Sequence, residues 1–180
     1  IRDRSETVLR LGTSILRIFG STTVSLDRLN QEATSAGIVI DTQIDLKDGT
    51  IAGAVAKFAS ALSKFEIKLP TSVLSIDGSS SAASFYVTAP EEISILEGSG
   101  IFVYNRDGVV SSARIDGGSR FASSTTAQTV QTMTEAEVSQ TAAVTPETSA
   151  VSVIQTTAIT AVQTTVNPAN FFISPTKGAN

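Results

Sequence analysis

Apolar and polar residues alternate with a period of two through most of the first two-thirds of the chain. Between Phe65 and Pro70, Phe65, Ile67 and Leu69 share one side, Glu66 and Lys68 the other, and Pro70 ends the run. Val73 and Leu74 lead through Ile76 to Asp77-Gly78, and Phe85, Tyr86 and Val87 form a further run closed by Ala89-Pro90. Ile93 and Ile95, and then Ile101 and Val103 with Phe102 and Tyr104, give two more, separated by Gly98 and Gly100. Such alternation, punctuated by Gly, Pro and Asp-Gly, predicts short strands joined by tight turns. The stretch from Phe65 to Tyr104 carries regular alternation and the sharpest turn signals, and the rest of the fold is expected to form around it.

Upstream, the same reading gives a strand over Thr7–Leu11 stopped at Gly12, and one over Ile15–Phe19 ended by Gly20-Ser21. Val24, Leu26 and Leu29 continue the alternation before a polar stretch from Asn30 to Gly37. Ile38-Val39-Ile40 opens a strand that Ile44 and Leu46 carry to Asp48-Gly49. An Asp-Gly pair between alternating runs favours a hairpin, because type I′ turns need positive φ at both central positions. From Thr50 to Ser63 strand and helix spacings overlap. The expectation is a strand from Thr50 to about Ala56, then a loop or one or two helical turns. Two further Asp-Gly turns, at Asp107 and Asp116, flank a strand over Val109–Ile115. The four Asp-Gly pairs, at Asp48, Asp77, Asp107 and Asp116, are unevenly spaced and define no repeat.

After Phe121 the pattern changes. No Lys or Arg occurs between Arg120 and Lys177, and the sequence becomes rich in Thr, Ser, Ala, Gln and Val. The division expected is a β-domain over residues 1–121 and a tail over 122–180 that docks on a sheet of its own domain or of a neighbour. Thr134 followed by Glu137 has the form of a capping box for a short helix through Ala143. The β-branched residues from Val151 to Val166 suit strands, Asn167-Pro168 breaks them, and Phe171-Phe172-Ile173 is an apolar plug.

Composition narrows the function classes. The 180 residues hold 13 Lys and Arg against 17 Asp and Glu, a net charge of −4, so there is no broad basic surface for nucleic acid. No apolar run approaches the roughly 20 residues that cross a bilayer, so membrane insertion is not expected. The chain opens on Ile1, and a mature form after signal-peptide removal is the expected origin. Cysteine and histidine are both absent. That removes disulfides, thiolate nucleophiles, the usual zinc sites and the commonest general base. A chain rich in Thr, Ser, Ala and Val with few charges fits an extracellular or cell-surface setting, with the periplasm as the alternative.

The remaining chemistry reads as structural. Glu91 and Glu92 would point to opposite faces of a strand and cannot act as a carboxylate pair there. Asp41, Asp45 and Asp48 lack the spacing of a calcium loop. Ser79, Ser80 and Ser81 have only lysines such as Lys57, Lys64 or Lys68 to serve as a base. No enzyme activity, cofactor or metal is expected.

In the order of its motifs, the region from Gly49 to Phe121 resembles the FecR-type domain of bacterial cell envelopes. The matching segments are Asp48-Gly49-Thr50-Ile51, Phe65-Glu66-Ile67-Lys68-Leu69-Pro70, Ile76-Asp77-Gly78-Ser79 with Phe85, and Ile93-Ser94-Ile95-Leu96-Glu97-Gly98-Ser99-Gly100-Ile101. Asp77 stands where the family usually has Arg, and Ser79–Ser84 is longer than the usual link. The resemblance implies an all-β sandwich or barrel-like fold with structural rather than catalytic motifs. The Thr- and Val-rich tail with its apolar plug carries the functional reading: a non-enzymatic extracytoplasmic subunit that self-assembles into a filament, sheath or surface layer by strand addition. Val151, Val153, Ile159, Val162, Val166, Phe171, Phe172 and Ile173 are the docking side chains expected for that homopolymer. The alternative is a sensing or binding module that contacts a protein or glycan partner at the turn formed by Asp77, Gly78, Ser79 and Phe85.

Overall fold

The computed structural model describes residues 6–35, 37–123 and 128–151. They form an all-β sandwich of two sheets. The strands are β1 (Glu6–Leu11), β2 (Ser14–Phe19), β3 (Thr23–Thr34), β4 (Gly37–Asp48), β5 (Thr50–Val55), β6 (Lys64–Leu69) and β7 (Ser72–Asp77). They continue with β8 (Ala83–Thr88), β9 (Glu92–Glu97), β10 (Ser99–Arg106), β11 (Val109–Asp116), β12 (Ser119–Ser123) and β13 (Gln128–Thr132), and a helix α1 (Glu135–Ala142) follows. The seven-stranded sheet runs β1-β2-β5-β8-β9-β12-β13, and the six-stranded sheet runs β11-β10-β7-β6-β4-β3. In both, spatial order follows chain order. Each new strand joins the strand laid down before it in that sheet. All of these pairings are antiparallel except β4 with β6, which are parallel because the single strand β5 between them belongs to the other sheet.

The alternation read from the sequence becomes the core. Phe65, Ile67 and Leu69 of β6 face inward with Leu74 and Ile76 of β7, and meet Ile51, Phe85, Val87, Ile93 and Ile95 from the opposite sheet. Phe65 and Phe85 lie 5.8 Å apart and tilted, while Phe102, Tyr104 and Phe121 form a second aromatic group with centroids 4.7 to 5.4 Å apart. Tilted and offset rings at these distances add to the burial itself. Gly53 lies directly under Phe85: a Cβ there would come 2.5 Å from the Phe85 ring and 3.0 Å from the Ile15 carbonyl oxygen.

Three expectations change. The polar stretch from Asn30 to Gly37 is not a break. β3 continues to Thr34 and pairs with β4 as far as Gly37. Its residues are polar because nearly all of β3 is exposed. Second, Asp48-Gly49 makes no hairpin, since β4 and β5 belong to different sheets. The Thr22 hydroxyl secures that crossing: it accepts from the Thr50 N–H at 3.0 Å and donates to the Thr50 carbonyl at 3.1 Å. Asp77-Gly78 and Asp116-Gly117 likewise carry the chain from one sheet to the other. Asp107-Gly108 alone among these pairs closes a two-residue hairpin, with φ of 52° and 81° at its central positions, as a type I′ turn requires. Third, Val151 does not lie in a strand but in a short helical stretch, residues 148–151. After Val55 the chain loops through residues 56–63 without a helix.

The segment after β13 covers the outer face of the seven-stranded sheet. The capping box forms: Thr134 Oγ1 accepts from the Glu137 N–H, and the Glu137 carboxylate accepts from the Thr134 N–H at 2.8 Å. Arg120 on β12 pairs with Glu137 at 2.8 Å, and Arg17 on β2 donates to the Val144 carbonyl at 2.8 Å. Val151 packs with Ile15, Ala54 and Ala56 on that outer face. Among the described residues, no helix is long and apolar enough to cross a membrane.

Candidate functional site

The six-stranded sheet has no such cover among the described residues. Alternation places Glu66, Lys68, Val73, Ser75, Ile101, Val103, Val110, Ser112 and Arg114 on its outer side. Pairing brings Val73 opposite Val103 and Ile101 opposite both Ser75 and Arg114. Ile101, Val103 and Val110 are 45%, 39% and 68% exposed, an apolar island beside the β11 edge. At its β10–β11 hairpin end lies a groove of about 730 Å³ whose walls include Lys68, Pro70, Val73, Val103, Tyr104 and Val110. Toward β3 the face turns ionic: Lys68 pairs with Asp27 at 3.2 Å, Arg28 with Asp41 at 3.0 Å, and Glu66 accepts from Gln43 and Ser75.

At the opposite end of β7 and β10 is the turn singled out from the sequence. Asp77 Oδ1 accepts from the Ser79 hydroxyl at 2.6 Å and the Ser79 N–H at 3.1 Å, while Oδ2 accepts from Ser99 at 3.4 Å. Arg114 donates to Ser99 at 2.9 Å and to Asp116 at 2.9 Å, and stands 4.0 Å from Asp77. The Ser79 hydrogen bonds, first the hydroxyl and then the backbone N–H, hold the Asp77 carboxyl below its ordinary range, with Arg114 assisting against partial burial. Asp77 is half-buried and Ser79 is exposed. Gly78 lies beneath the Phe58 ring and accepts from the Phe58 N–H at 2.7 Å. Phe85 is 0% exposed and belongs to the core, so it has no surface to offer a partner.

Of the docking residues expected in the tail, Val151 is 0% exposed within its own fold, which removes it from any contact with a neighbour. Val153, Ile159, Val162, Val166, Phe171, Phe172 and Ile173 lie outside the described residues. Sequence reading missed the apolar island. Its signal was present: β10 is apolar on both faces (Ile101 and Val103 as well as Phe102 and Tyr104), and a strand with only one face in a core has no need of that. Among the described residues, no group of His, Cys, Asp and Glu could hold a metal ion.

Among the described residues the molecule is an all-β sandwich with one roofed face and one open face. No family model matches its sequence, and no curated protein does. Among solved structures it is similar to a protein from Parabacteroides distasonis ATCC 8503, described provisionally as an anti-sigma factor, seen in two crystal structures. One aligns at 13% identity with a TM-score of 0.48, the other at 11% and 0.47. Both alignments cover 71% of this chain and 54% of the other, so the match spans about half the length of those proteins.

Proposed function

We propose that this chain is a non-catalytic, FecR-type binding module of the bacterial envelope, working outside the cytoplasm, whose protein partner contacts the open face of the six-stranded sheet. The observation that carries the reading is the difference between the two outer faces. One is enclosed by α1 and Val151. The other leaves Ile101, Val103 and Val110 in solvent beside the Asp77–Arg114 cluster. An apolar patch rimmed by polar residues is the form a protein contact takes. The FecR resemblance adds support, because its motif segments fall on β5, β6, β7, β8, β9 and β10, which share one core.

The test is a photo-crosslinking side chain placed at Val103, with Leu62 in the loop before β6 as the control position, in the source bacterium. One defined adduct is expected from Val103, absent from Leu62 and lost when Ile101→Glu is added. Equal labelling from both positions would overturn the reading.

A second reading, a structural subunit that self-assembles into a filament, sheath or surface layer through its terminal segment, is supported by the open edge of β11. Electron microscopy of purified protein tests it: regular fibres or layers are expected, and dispersed particles count against it.

A further inference from the structure

Among the described residues, four strands form the edges of the two sheets: β1 and β13 in one, β3 and β11 in the other. Edge strands expose unpaired N–H and C=O groups, and proteins guard them with charge, bulges or shortness. β3 has two register shifts and carries Asp27, Arg28 and Glu32. β1 is six residues long with Glu6 and Arg10, and β13 is five residues long and gives way to the helix. β11 is guarded least, because its two charged residues, Arg114 and Asp116, bond to each other. It is eight residues long with no Pro, no Lys and no shift against β10, and its one cation, Arg114, is engaged by Asp116 and Ser99.

The turn at Asp107-Gly108 fixes which groups of β11 are free. A type I′ hairpin makes its flanking pair, Arg106 and Val109, a hydrogen-bonded one, and bonding then alternates along the ladder. Val109, Ser111, Ala113 and Ile115 bond to β10. Val110, Ser112 and Arg114 aim their backbone groups outward, and they are also the residues whose side chains lie on the open face.

We infer that β11 pairs antiparallel with β11 of a second copy, with the two-fold axis at Ser112. In that register Val110 lies opposite Arg114 of the second copy and Ser112 opposite Ser112. Each of these pairs exchanges both backbone bonds, while Val109 meets Ile115. Every facing pair lies on the same side of the joined sheet, no like charges oppose, and the exposed Val110 gains the aliphatic stem of an arginine. Moving the axis to Ala113 would set Val110 against Asp116, which is the poorer match. The contact is isologous and closes at two copies. It joins two six-stranded sheets and their two apolar islands into one continuous face. This inference does not depend on the proposed partner.

The chain has no cysteine, so one introduced at the axis reports without background. In Ser112→Cys the two sulfurs would come together across the axis, at a Cα separation of about 5.5 Å for a hydrogen-bonded pair. Sedimentation of the unaltered protein should give a dimer. Ser112→Cys should oxidise to a covalent dimer at least tenfold faster than Thr7→Cys or Thr129→Cys on the other edges. Ser112→Pro removes only an outward N–H and should be monomeric with an unchanged circular dichroism spectrum. A monomer at the solubility limit, growth beyond a dimer, equal oxidation rates, or a dimer that survives Ser112→Pro would each overturn the inference.

Discussion

At the scale of single residues, close approach decides more than chemistry does. Gly53 is required by the Phe85 ring and the Ile15 carbonyl above it, not by backbone conformation. Gly53→Ala forces the ring or the strand to move and should cost about 1–3 kcal/mol, read as a lower denaturation midpoint. Asp77 supplies a pH-dependent increment. Its folded-state pKa lies below the ordinary value of 3.8, so its contribution is present above that value and is lost as pH falls through the folded pKa. Asp77→Asn lacks that step. The stability difference between wild type and Asp77→Asn, measured in urea across acid pH, should therefore shrink as pH falls below about 3.8. If the difference stays constant down to the acid limit, the Ser79 and Arg114 contacts do not act as described.

At the scale of elements, period-two spacing made the strands legible, because each strand has one face in a shared core. Phe65–Leu69 and Phe85–Val87 were readable for that reason. β3 beyond Leu29 was not, because a strand exposed on both faces has no apolar period to read. Asp-Gly was ambiguous in kind: it marks a reversal, but the residues do not say whether the next strand stays in the same sheet. Asp107-Gly108 stays, and Asp48-Gly49 crosses. Asp77 and Ser79 were legible as a turn, whereas Phe85, grouped with them by its motif, is a core residue. The helix was marked by its cap alone. Thr134→Ala removes the acceptor for the Glu137 N–H and loosens the carboxylate that pairs with Arg120. It should cost the helix about 1 kcal/mol. Hydrogen exchange should quicken over residues 135–142 and stay unchanged in β5 to β8.

At the scale of the whole molecule, residues 128–151 belong to the folded unit. β13 extends the seven-stranded sheet, and Val151 closes over Ile15 and Ala54. A chain ending at Phe121 exposes that face and should melt at a lower temperature and bind a hydrophobic dye. The strictly serial order of both sheets has a further consequence for biosynthesis. Among the described residues, each strand after the first in its sheet pairs with one already made, while β2, β5, β7 and β9 gain their second neighbour from strands made later. The protein should therefore be built like courses of brickwork, from the amino terminus upward. Nascent chains stalled after successive hairpins should gain protease resistance in steps, and the earliest courses should set before the last are made.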